Sequence, residues 1–183
     1  MGRSLKETVL TEEKSYTIAD IYAMADGEHA ELIDGQIYAM SPPSFTHQKI
    51  SRELFFHIVS YIKKNGGNCE VLAAPFAVFL NNDEKNYLEP DISVICDTSK
   101  LDEQGCHGAP DWIIEIVSPS SRSRDYMKKM LKYGTAGVRE YWIVDPEKRQ
   151  VTVYGFEKET MEQYAFGEEI CVGIFADLSI CLL

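Results

Sequence analysis

Three carboxylates in this sequence stand where chemistry could use them: Glu31, Asp91 and Glu115, each at the start of, or inside, a run that reads as a β-strand. The sharpest case is Glu115, within Asp111-Trp112-Ile113-Ile114-Glu115-Ile116-Val117-Ser118-Pro119. Strand alternation puts Ile113, Glu115 and Val117 on one face and Trp112, Ile114 and Ile116 on the other, so Glu115 projects among apolar neighbours. A carboxylate in that position stays neutral, pairs with a cation or binds a metal. The plain alternatives are an Arg or Lys partner for Glu115 and a solvated strand start for Glu31. If the strands of Asp91 and Glu115 are neighbours, both acids can face one cavity beside the lysine-bearing helix that follows. Hard oxygen ligands of that kind suit Mg²⁺ or Mn²⁺ rather than zinc. Such an ion stabilises charge on a phosphoryl oxygen and acidifies a water, and a nearby lysine can orient that water, which is the chemistry of phosphodiester hydrolysis.

Other reactive residue types give weaker patterns. His47 and His57 lie ten residues apart on one helical stretch and cannot form an i, i+4 ligand pair. A packing or surface role is expected for His57, and the same role is preferred for His47 over a place at the rim of a cleft. The five cysteines (Cys69, Cys96, Cys106, Cys171, Cys181) are scattered and odd in number, which suits reduced thiols in a cytoplasm. Cys106-His107 has no second pair at zinc-site spacing. The formal net charge of −11 argues against broad non-specific nucleic-acid binding, while leaving room for a local basic cleft. No apolar run approaches a membrane span, and the first residues lack a signal-peptide core.

The elements that must position these residues are legible in order. Residues 1–14 read as a polar, flexible tail and residues 15–183 as a single domain. Thr17 can cap a short helix from Ile18 to Ala25. Asp34-Gly35 between two apolar runs predicts a β-hairpin with a type I′ turn. Residues 44–65 predict a long helix with a stripe of Ile50, Leu54, Ile58 and Ile62, stopped by Gly66-Gly67. Strands are expected over 69–72, 77–80 and 87–95, the last opening on Pro90, with a loop over 101–109. After the central strand, Ser120 or Ser121 can cap a helix to about Gly134, with Tyr126, Met127, Met130, Leu131 and Gly134 inward. On its wheel Lys128 and Lys129 are tied at the edge of the buried face, and Lys132 points furthest away. Strands over 140–145 and 150–154 form a further hairpin, and short strands follow to the end. The order is that of an α/β (α+β) domain, with a mixed central sheet flanked by helices.

Pro90-Asp91 followed by Glu115-Ile116-Val117 on a later strand resembles the PD-(D/E)XK nuclease superfamily. The chain is more closely similar to the Uma-type putative restriction endonuclease family within it. The likeness rests on Glu31-Leu32-Ile33-Asp34-Gly35, Pro43-Ser44 with His47, Glu89-Pro90-Asp91-Ile92-Ser93-Val94 and Glu115 to Ser120. It continues through Asp125, Lys129 and Tyr133 to the run Gly137 to Pro146. These stretches span roughly residues 16 to 155. Pro-Asp with Glu-x-x is weak by itself, whereas the run from Glu115 to Pro146 is specific.

The resemblance implies a restriction-endonuclease-like core with extra β-hairpins. It implies Asp91 and Glu115 as ligands of Mg²⁺ or Mn²⁺, the Ile116 carbonyl as a third, and Glu31 as a helix-borne acid of the same site. The superfamily lysine position holds Val117 here, and Lys129, on the next helix, is the matching substitute. The expected activity is a metal-dependent endodeoxyribonuclease with DNA as substrate. The chain is further expected to work as a homodimer, because cutting both strands is easiest with two active sites. A catalytically weak or inactive nucleic-acid-associated binding protein on the same fold is the alternative, and a hydrolase of small phosphoesters a third.

Overall fold

The structure is a computed structural model that describes residues 14–81, 83–119 and 121–183. Residues 1–13 of the expected tail, and Ser120 of the two expected helix caps, lie outside the described residues. The elements run α1 (Ile18–Tyr22), β1 (Ala30–Ile33), β2 (Gln36–Ala39), α2 (Phe45–Lys64), β3 (Glu70–Ala73), β4 (Val78–Phe79), β5 (Ile92–Ile95), β6 (Cys106–His107) and β7 (Trp112–Ile116). A π-helical turn (Arg124–Lys129) then leads directly into α3 (Met130–Ala136). Strands β8 (Glu140–Asp145), β9 (Gln150–Gly155), β10 (Thr160–Ala165), β11 (Ile170–Cys171) and β12 (Ser179–Ile180) complete the chain.

Six strands form one mixed sheet in the order β10-β9-β8-β7-β5-β3. Only β7 and β8 are parallel in it, and the π turn with α3 is their crossover. That crossover explains why β7 is apolar on both faces. On one face Trp112, Ile114 and Ile116 meet the stripe Ile50, Leu54, Ile58 and Ile62 of α2. On the other face Ile113 and Val117 pack with Tyr133, Val138, Tyr141 and Ile143. Each large apolar side chain buried in this way stabilises the fold by roughly 2 kcal/mol. Ser44 caps α2, its side chain accepting from His47 N–H at 3.2 Å.

The β1–β2 hairpin stands apart from the sheet, and its turn has the expected positive φ at both Asp34 (52°) and Gly35 (75°). It is tied to the rest by Leu32, which exchanges backbone hydrogen bonds of 2.8 and 2.9 Å with Tyr87. The expected strand over 87–95 is shorter than its apolar run, because only Ile92–Ile95 joins the ladder. The expected loop over 101–109 holds the two-residue β6, parallel to β4.

Two expectations need correction. The helix after β7 does not bury Met127 and Leu131, which are 64% and 62% exposed; Asp125, Lys129 and Tyr133 are inward instead. The cause is the π turn, whose wider i→i+5 bonding rotates side chains away from a wheel drawn at about 3.6 residues per turn. The cysteines are not all free thiols either. Cys69 and Cys96 form a disulfide, because they extend the antiparallel β3–β5 register one step beyond Glu70 and Ile95. Among the described residues no helix is long and apolar enough to cross a membrane.

Candidate active site

Glu31, Asp91, Glu115 and Lys129 reach one region from four separate elements. Glu31 is on β1, one residue before the Leu32–Tyr87 tie, and is buried. It is therefore strand-borne rather than helix-borne, because Asp34-Gly35 turns the chain into a hairpin at that point. The backbone N–H of Glu89 donates to Glu31 Oε1 at 3.2 Å, which fixes the acid beside the Glu89-Pro90-Asp91 segment. Glu115 projects from the middle of β7, buried, with Lys129 Nζ at 2.8 Å and Tyr133 Oη at 2.8 Å, both donating to its Oε1.

Lys129 is the hub. Its Nζ lies 2.8 Å from Glu31 Oε1, 2.8 Å from Glu115 Oε1 and 3.6 Å from Asp125 Oδ1. The π turn resolves the tie that the helical wheel leaves open, sending Lys129 inward and leaving Lys128 to donate to the Tyr38 hydroxyl. Lys132 pairs with Asp34 at the hairpin turn rather than pointing away. Val117 is buried among apolar neighbours, on the same face as Glu115.

Asp91 stands just before β5 and joins the group through the backbone. Its Oδ2 accepts from Ile116 N–H at 2.7 Å and lies 3.2 Å from His47 Nε2. Ile116 is thus adjacent to both acids through its own amide. His47 is placed by the Ser44 cap at the start of α2, so the preferred packing or surface role gives way to a contact with Asp91. His57 lies on the exposed side of α2, edge-on to Phe56.

Asp125, Tyr133, Arg124 and Glu89 also belong to this group, with no role assigned to them by the sequence pattern. Asp125 and Tyr133 flank Lys129 at i−4 and i+4, a spacing that could have found them. Arg124 Nε sits 3.9 Å from Glu31 Oε2. Glu89, next to Pro90, is buried and accepts from Tyr87 Oη at 2.7 Å.

The electrostatics follow from burying more acid than base. Burial drives the Glu115 carboxyl well above the usual carboxylate range, with Lys129 pulling against it and Asp125, Glu31 and Asp91 reinforcing it. Burial raises Asp125 in the same way. For Lys129 burial would lower the ammonium, but Glu115, Glu31 and Asp125 outweigh it and hold it above the ordinary lysine value. His47 is lowered by burial and raised by its bond to Asp91, and the carboxylate wins. Within this group the buried oxygens Glu31 Oε2, Glu89 Oε2 and Asp125 Oδ1 have no hydrogen-bond partner among the described residues. Among the described residues no three His, Cys, Asp or Glu side chains form a ready cation cage.

A family model described as "Putative restriction endonuclease", Uma2, matches residues 17–179. The chain is 30% identical over 128 residues to the uncharacterized protein slr1290 of Synechocystis sp., a match covering 69% of this chain and 66% of that one. It therefore spans just under two thirds of that relative. Among solved structures, a putative nuclease belonging to DUF820 from Anabaena variabilis superposes with a TM-score of 0.73 at 23% identity, covering 90% of this chain and 94% of the other. That likeness bears on the fold.

Proposed function

The chain belongs to the Uma2 family of putative restriction endonucleases, and from that premise we propose that it is a metal-dependent endonuclease hydrolysing DNA phosphodiester bonds. Membership supports a nuclease-like function acting on nucleic acid; the choice of DNA, the metal and the residue roles are our reading. The observation that carries it is the Lys129 ammonium, delivered from the helix after β7 to 2.8 Å from both Glu31 and Glu115. It supplies the positive charge that Val117 lacks.

The donor chemistry fits a hard divalent ion. Glu31, Asp91, Glu115 and Asp125 outnumber the permanent cations Lys129 and Arg124, and Glu31 Oε2 and Asp125 Oδ1 have no hydrogen bond, only the longer ion pairs to Arg124 and Lys129. Asp91, Glu115 and the Ile116 carbonyl would hold Mg²⁺ or Mn²⁺. When bound, such an ion supplies Lewis-acid stabilisation of a phosphoryl oxygen and a more acidic water. The chain's own groups do the rest. Tyr133 Oη fixes the Glu115 carboxylate, and His47 with the Ile116 amide fixes Asp91. Lys129 presents a positive charge where negative charge builds at the phosphorus-bound oxygens, and Glu31 holds that ammonium in place.

The test is nicking of a supercoiled plasmid with Mg²⁺ or Mn²⁺, beside the Asp91→Ala variant. Nicking that disappears with chelator and with Asp91→Ala is the expected result. A wild-type protein that leaves the plasmid intact with either ion overturns the reading.

A further inference from the structure

Next to the acidic centre, a cleft of about 340 Å³ opens between the β1–β2 hairpin and the helix formed by the π turn and α3. Its lining includes Gln36 and Asp34 from the hairpin and Lys128, Leu131, Lys132 and Thr135 from the helix. The cleft and the centre are built from the same two surfaces. On the hairpin, Glu31 is directly opposite Tyr38 and Ile33 opposite Gln36, so these four share one face. Glu31 takes that face to Lys129, while Tyr38 takes it to Lys128, and Asp34 at the turn meets Lys132. Moving one helical residue, from Lys129 to Lys128, moves from the centre to the cleft.

The charge here runs against the rest of the molecule. In a chain of net charge −11, Arg124, Lys128 and Lys132 recur every four residues along this side of the helix. The Arg124 guanidinium lies 4.8 Å, and the Lys128 ammonium 5.1 Å, from the centre of the Tyr38 ring. Among the described residues Lys128 has no carboxylate within ion-pair distance; its hydrogen bond goes to the neutral Tyr38 hydroxyl. Among the described residues Lys132 is countered by the exposed Asp34 alone. Arg124 on the ring is paired with the buried Glu31 at 3.9 Å, but Lys128 beside it meets no carboxylate among the described residues, which leaves a positive charge at the cleft that asks for an anion.

We propose that this cleft is a subsite for the sugar–phosphate backbone of one nucleic-acid strand, seating the nucleotide next to the bond that is cut. Lys128 and Lys132 face its phosphate oxygens, and Arg124 stacked on Tyr38 forms the step between subsite and centre. The volume lies at the lower end of the range for small-ligand pockets, about 300–1,000 Å³, which suits a single nucleotide rather than a duplex. The subsite rests on the nuclease reading, and it explains how an acidic chain holds a polyanion without an overall basic surface.

The experiment is anisotropy titration of a labelled thymidine strand of about 12 nucleotides in chelator, across a salt series. Lys128→Gln/Lys132→Gln is expected to weaken binding at least about tenfold. It should also make the dependence of log affinity on log salt shallower by about 1 to 1.5, the share of two phosphate contacts on a single strand. Lys63→Gln/Lys64→Gln, the same charge loss at the far end of α2, should stay within about twofold of wild type. Asp91→Ala should bind the strand like wild type while failing to nick plasmid. The subsite is overturned if the Lys128/Lys132 variant keeps wild-type affinity and slope, or if the Lys63/Lys64 control weakens binding as much. Plasmid nicking by wild type alongside either result leaves the nuclease reading standing. A wild type that binds through the cleft but never nicks leaves the subsite and removes the nuclease reading.

Discussion

Under the proposed function Lys129 would have two duties at once, because the charge that would act on a phosphate also neutralises Glu115 and Glu31 inside the protein. Removing one partner of a buried ion pair costs on the order of 3–5 kcal/mol. Lys129→Ala is therefore expected to lower turnover roughly a hundredfold or more, to change divalent-ion affinity much less, and to destabilise the fold. The pH dependence separates these effects. Glu115 already sits above the usual carboxylate range, and losing Lys129 removes the first influence that lowers it. A carboxyl whose folded value is raised takes up its proton in the folded state first, so stability is gained as pH falls through that value. The stability gap between Lys129→Ala and wild type, read from urea midpoints, should be widest in alkaline solution and narrow as the pH is lowered. A gap independent of pH would mean that Glu115 is not the group left uncompensated.

At the scale of elements, α2 holds one face of the sheet through Ile50, Leu54, Ile58 and Ile62, and its first turn also carries His47 to Asp91. Leu54 is fully buried, so Leu54→Ala should cost about 3 kcal/mol in denaturant unfolding. A loss under about 1 kcal/mol would mean that the helix is not seated as described. The Cys69–Cys96 disulfide closes a loop of sequence separation 27 between the edge strand β3 and β5, worth about 3.5 kcal/mol on chain-entropy grounds. Cys69→Ser/Cys96→Ser should lower thermal stability accordingly, and an unchanged melting temperature under non-reducing conditions would count against the bond. Period-2 and period-3.6 patterns made the hairpin, α2 and the two-faced β7 legible in the sequence, because burial there is dictated by apolar side chains. The π turn was not legible. Met127 and Leu131 present a plausible apolar stripe, yet the π turn carries Asp125, Lys129 and Tyr133 inward, where Lys129 and Tyr133 bond to Glu115. The disulfide was hidden for a different reason, since strand register, not cysteine spacing, sets which thiols meet.

On the scale of the whole molecule, an endonuclease with one site per chain, as proposed, would leave the second strand of a duplex uncut unless another copy supplied a second site. A two-fold homodimer is accordingly expected, and light scattering at micromolar concentration that returns the 20.7 kDa monomer mass would contradict it. One feature of the centre also bears on the order in which the protein becomes itself. Lys129 meets Glu31 across 98 residues of sequence, and Asp91 meets His47 across 44 and Ile116 across 25. No short fragment contains the set, and loop closures of this length are completed only as the tertiary structure closes around them. During synthesis the three acids leave the ribosome before the lysine that neutralises them. The unfinished chain therefore carries repulsive acidic segments and none of the assembled machinery. If the proposed chemistry holds, any cutting activity would appear only once folding has brought these residues together, a coupling set by chain order alone.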